Sequence, residues 1–134
     1  MAETQAPVRR PISPHLSIYK PMLTMVMSIL HRLTGAALYF GTLLLAAWLI
    51  AAAMGEAPFA LVSAVFAHPI GMLVLFGYTW ALAHHMLGGV RHLIWDTGRG
   101  LQIWQVNLLC WLTVFGSAVL TLAIWAVVLL DGGL

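Results

Sequence analysis

Three long runs without a single Asp, Glu, Lys or Arg organise the chain: Leu33 to Met54, Ala57 to Val90 and Gly100 to Leu130. Each is long enough for a membrane-spanning helix, which needs about 20 apolar residues. The first span is predicted at about 24–54, with His31 and Arg32 inside its first turns. Gly55, Glu56 and Pro58 close it with turn chemistry. The second run is longer than one span requires. Pro69, after His68, suits the first turn of a helix. The second span is therefore predicted at about 69–95, with residues 59–67 as a short interfacial helix before it. Thr97, Gly98, Arg99 and Gly100 form the next loop. The third span follows at about 104–130, with Trp95 and Trp104 flanking the loop as an interfacial aromatic belt would.

The first 22 residues read differently. They are polar and contain Pro7, Pro11, Pro14 and Pro21, so an extended surface tail is expected. It could lie along the membrane, against a soluble partner, or remain disordered. The whole of 1–134 thus reads as one all-α membrane-anchor domain with three transmembrane helices.

Composition agrees. Of 134 residues, 62% are hydrophobic and 7% charged, and the mean hydropathy is +0.96. Soluble domains carry about 25% charged residues. The formal charge of +2 and the lack of a basic patch beside aromatic residues exclude a nucleic-acid partner. The one cysteine, Cys110, offers neither a disulfide framework nor a zinc site and reads as a buried, inert thiol. No cleavable targeting segment is visible, so a multi-pass protein of the bacterial inner membrane is the simplest expectation, ahead of a mitochondrial one. All six Lys and Arg residues fall on one side of the three-span arrangement, and Glu56 and Asp131 on the other. The positive-inside rule then puts the N-terminus in the cytoplasm and the C-terminus on the opposite side.

Candidate chemistry gathers at that inner side. His85 lies about ten residues, or roughly 15 Å, from the end of its helix. Polar groups at that depth are costly and usually functional. A neutral imidazole can bind iron through one nitrogen while the other makes a hydrogen bond. Haem needs such a ligand, an apolar slot and cations for its propionates. Gly88 and Gly89 offer room on the face between His85 and His92, and His31, Arg32, Arg91 and His92 offer cations. The competing reading is a histidine bonded to a neighbouring carbonyl. His84 is the rival ligand, about 100° round the helix. No second histidine lies at matching depth on another span, so a second axial ligand would come from another subunit. Ser28 and Arg32, four residues apart, share a helical face. A hydroxyl and a guanidinium together suit a quinone carbonyl or a lipid phosphate, and Arg32 could equally snorkel to headgroups. Thr34 and Gly35 read as a helix-packing contact, and Asp96 as an interfacial ion pair with Arg91 or Arg99. No nucleophile–base pair, paired carboxylates or phosphate loop is present, so no catalytic residue is assigned.

Two patterns carry a family resemblance. One is Arg10-Pro11 followed by S-x-x-H-R-x-T at Ser28 to Thr34; the other is H-x-x-x-G-V-R-H-L-x-W-D-x-G at His85 to Gly98. With these the chain resembles the cytochrome b subunits of succinate dehydrogenase, the larger membrane anchors of respiratory complex II. The third span matches only as hydrophobic sequence. The resemblance implies a haem b shared with a second small anchor subunit, with His85 as this chain's axial ligand. It implies ubiquinone as substrate, contacted by Ser28 and Arg32, with His31 near the haem propionates and Arg91 and His92 at propionates or subunit contacts. It also implies docking of an iron–sulfur subunit and a flavoprotein at the inner face. Electrons from succinate would then reach the quinone pool through a chain that cannot oxidise succinate alone. Two alternatives stand beside this reading: a fumarate reductase anchor working from menaquinol, and a haem-free structural anchor or channel subunit whose histidines only hydrogen-bond.

Overall fold

The computed structural model describes residues 19–132. Most of the expected surface tail therefore lies outside the described residues. What is described is helical: α1 (Leu23–Met54), α2 (Glu56–Ala67), α3 (Pro69–Asp96) and α4 (Ile103–Leu130). Three of these, α1, α3 and α4, are long and apolar enough to cross a membrane. At 28 residues, α3 and α4 would each extend about 42 Å, against a hydrocarbon layer of about 30 Å.

The helix ends follow from local chemistry. Gly55 separates α1 from α2 at φ 112°, a left-handed value that a side chain would oppose. The short helix begins at Glu56, before the Phe59 start expected from the sequence. A carboxylate is favourable in a first turn, and Pro58 gives up only an amide that has no intrahelical partner there. His68 is held extended by the proline that follows it, and its Nδ1 accepts from the Ile70 amide at 3.3 Å, capping α3. Between α3 and α4, Trp95 Nε1 donates to the Gly100 carbonyl at 3.1 Å. A reciprocal pair of contacts between Gln102 and Gln105 then starts α4.

α3 is the central helix, packed on α1, α2 and α4. The chain direction alternates, so the start of α1, the end of α3 and the start of α4 share one end of the bundle, and α2 lies toward the other. The core is small and partly polar. Its buried residues include Met27, Ala81, Ala83 and Cys110, but also Thr34, His84, Arg91, Thr113, Ser117 and Thr121. Large apolar side chains such as Leu43, Leu73, Phe115 and Leu122 point outward. That distribution suits lipid as the solvent: oiliness gives helices no reason to associate there, whereas small residues let them approach.

Candidate functional site

The histidines of α1 and α3 meet at the end of the bundle away from α2. His31 and His85 stack with ring centroids 4.0 Å apart and planes 3° from parallel. The His92 ring, tilted by 51°, has its centroid 5.2 Å from that of His31. Close helix approach makes this possible. A Cβ built on Gly88 would fall 2.5 Å from His31 Nδ1, and one on Gly35 would fall 2.9 Å from His85 Cε1. Gly89, expected to share the open face, has nothing within 4 Å of such a Cβ, so only Gly88 serves the contact with α1.

His85 is oriented by α1. Its Nδ1 lies 3.1 Å from the His31 carbonyl oxygen and 3.3 Å from Thr34 Oγ1. A carbonyl oxygen only accepts, so this contact needs the proton on Nδ1 and leaves the lone pair on Nε2. His84 faces the opposite way. It is 1% exposed, its Nδ1 is 3.3 Å from Ser117 Oγ on α4, and its ring packs beside Trp80. The two adjacent histidines thus belong to different helix interfaces.

Arg91 turns toward α4. It is 3% exposed and its Nη1 donates to Thr113 Oγ1 at 3.4 Å and to Cys110 Sγ at 3.8 Å, both on α4. Its guanidinium carbon lies 5.2 Å from the centre of the Trp95 ring, a cation–π distance. The ion pair expected with Asp96 is not formed among the described residues, and Asp96 is exposed. Among the described residues, two buried nitrogens, Arg91 Nε and His31 Nδ1, have no hydrogen-bond partner.

Ser28 and Arg32 are exposed on the side of α1, and with His31, Arg91, His92 and Trp95 they line a cleft of about 350 Å³. The larger hollow, about 630 Å³ between α1, α2 and α3, is lined mainly by apolar residues such as Leu44, Trp48 and Phe66. The charged side chains line the smaller cleft rather than this hollow. That cleft carries two guanidinium groups, two hydroxyls, from Thr24 and Ser28, and two imidazoles.

A sequence model described as the transmembrane subunit of succinate dehydrogenase or fumarate reductase matches residues 6–124. The chain belongs to that family. Among its relatives, the succinate dehydrogenase cytochrome b556 subunit of Rickettsia prowazekii (strain Madrid E) is 42% identical over 117 residues, covering 87% of this chain and 91% of the relative. The corresponding subunit of Paracoccus denitrificans is 41% identical over 121 residues, covering 88% and 93%. The mitochondrial succinate dehydrogenase cytochrome b560 subunit of Sus scrofa is 43% identical over 101 residues, covering 73% of this chain and 59% of the relative.

In this succinate dehydrogenase/fumarate reductase transmembrane subunit, five of the six site residues named from the sequence, Ser28, Arg32, His31, Arg91 and His92, line one cleft. The sixth, His85, stacks on the histidine at its edge. The sequence reading missed Thr34 as a partner of His85, taking it as packing. The available signal was its place three residues after His31 on the same helical face. It also missed Cys110 and Thr113 as partners of Arg91. The available signal was the recurrence of small and hydroxyl residues, Cys110, Thr113, Ser117 and Thr121, at three- and four-residue spacing along the third run.

Proposed function

We propose that the chain is the larger membrane anchor of a succinate:quinone oxidoreductase, holding one side of a haem b through His85 and forming part of the ubiquinone site with Ser28 and Arg32. The observation that carries this is the pairing of an oriented imidazole with the exposed Ser28 and Arg32 at one end of the bundle. The residues suit haem. A porphyrin fills four positions on its iron, so each anchor need supply only one imidazole nitrogen, and a tautomer with Nε2 unprotonated supplies it. The buried nitrogens of His31 and Arg91, without hydrogen-bond partners among the described residues, fit a group with anionic arms. When bound, haem supplies a one-electron carrier.

The work of this chain is to bind, orient and neutralise. The Ser28 hydroxyl donates to a quinone oxygen, and the Arg32 guanidinium stabilises the negative charge that gathers there as electrons arrive. Reduction of the quinone takes two electrons and two protons. A site near the positively charged end of the bundle draws those protons from adjacent water. In this reading that end is cytoplasmic, the protein sits in the bacterial inner membrane, and a second small anchor, an iron–sulfur subunit and a flavoprotein complete the complex. Succinate is oxidised on the flavoprotein, not here.

Arg32→Leu in the assembled complex tests the quinone role. Succinate–quinone activity should be lost while succinate–dye activity persists; full quinone activity would overturn the assignment. A reduced-minus-oxidised spectrum of wild type beside His85→Ala tests the haem role, with a b-type band expected only in the first. The family description spans both reaction directions. A quinol–fumarate assay on the same complex compares them.

A further inference from the structure

Thr34 is 3% exposed, and its hydroxyl lies within reach of three groups at once. It is 2.8 Å from the Leu30 carbonyl, 3.0 Å from the His31 carbonyl and 3.3 Å from His85 Nδ1. Threonines inside helices commonly return their proton to the carbonyl four residues back, as Thr79, Thr113 and Thr121 do in this bundle. When Thr34 does the same, its oxygen lone pairs are left facing His85. Nδ1 then meets two acceptors and no donor.

The ring is also restrained sterically. One of its faces is covered by His31 at 4.0 Å, and its Cε1 edge lies where a Cβ on Gly35 would stand. Neither flipping the ring nor moving the proton to Nε2 keeps these contacts. Nε2 itself makes no hydrogen bond among the described residues.

We propose that Thr34 is the positioning residue for His85. Its hydroxyl and the His31 carbonyl hold the imidazole in the Nδ1–H tautomer above Gly35 and so present Nε2 to the haem iron. This rests on the haem reading of His85 given above. The chemistry has a direction. Hydrogen bonds accepted from Nδ1–H make the imidazole a stronger electron donor, which favours the oxidised metal. Removing one of the two acceptors should therefore raise the midpoint potential.

The test uses the whole complex, with potentiometric titration of the b-type band and electron paramagnetic resonance of the ferric haem, in wild type, Thr34→Val, Thr34→Ser and Gly35→Ala. In Thr34→Val the reduced-to-oxidised ratio at fixed ambient potential should rise by several-fold and up to about tenfold, which for one electron is ~59 mV. The largest g value should shift as the ring loosens. Thr34→Ser, which keeps the hydroxyl, should return both readouts to wild type. Gly35→Ala, which keeps the hydroxyl but displaces the ring, should move the g value. If Thr34→Val does not assemble, Thr34→Ala, which removes the same acceptor with a smaller side chain, takes its place with the same expected and overturning results. Wild-type values in both Thr34→Val and Gly35→Ala, with the band absent in His85→Ala, would overturn the positioning role and leave the haem reading intact. A band that survives His85→Ala would overturn the haem reading and this inference with it.

Discussion

His31 and His85 lie 54 residues apart in the chain, yet their rings stack at 4.0 Å with planes 3° from parallel. Each ring also has an edge against a glycine of the opposite helix, His31 against Gly88 of α3 and His85 against Gly35 of α1.

Gly88→Ala should break this arrangement. Its methyl would stand 2.5 Å from His31 Nδ1 and 3.0 Å from Cε1, and the displaced ring would press on His85. A loss of about 1–3 kcal/mol is expected from overpacking of this kind. Gly89→Ala, one residue on, meets nothing within 4 Å and removes a helical glycine, so it should be neutral or stabilising by up to ~1 kcal/mol. Thermal unfolding of the two variants in detergent separates them.

His84→Leu should leave the b-type band of the complex in place. His84 is directed at Ser117, and Ser117 keeps its own bond to the Val114 carbonyl at 2.9 Å. The cost should be about 1 kcal/mol, that of one hydrogen bond. Absorbance checks the first statement and thermal unfolding the second.

Nearer the α2 end, Gly41→Ala should destabilise the bundle without touching quinone chemistry. A methyl there would fall on the Tyr78 ring itself. About 1–3 kcal/mol should be lost, and Tyr78→Ala should recover part of it in the double variant. A thermal double-mutant cycle reads the coupling, and succinate–quinone activity per assembled complex should stay at the wild-type level.

The Cys110 thiol is 0% exposed and lies against Arg91. Maleimide should leave it unmodified in the native complex and label it after denaturation. Arg91→Ala removes the guanidinium that covers it and should make the thiol reactive in the native state. Intact-mass measurement after timed labelling gives the answer.

The three long helices are legible in the sequence because lipid excludes charge from long runs, and that exclusion leaves a plain record. The start of α2 is less so. Glu56 and Pro58 look like turn residues until their tolerance for a first helical turn is considered. Within the candidate site, His85, Ser28 and Arg32 stand out because polar side chains are rare in apolar runs. Thr34 does not, since a small hydroxyl residue serves packing as readily as it serves a histidine. For Arg91 the sequence marks the cation near the end of its helix but not its partners on α4, a hydroxyl and a sulfur. On α4 the record is one of size, with small and hydroxyl residues recurring at three- and four-residue spacing along one face.

That last point has a consequence for α4. The residues it buries are Cys110, Thr113, Ser117 and Thr121, while Trp111, Phe115, Val119 and Leu122 face outward. Its seam with α3 is encoded by side-chain volume rather than by oiliness. Substitution tolerance along this helix should therefore run opposite to that of a water-soluble bundle. Exchange among large apolar residues is free on the outside, exchange on the inside is accepted only among small residues that keep the hydroxyls facing Arg91 and His84, and any attempt to strengthen the seam with larger apolar side chains would wedge the helices apart.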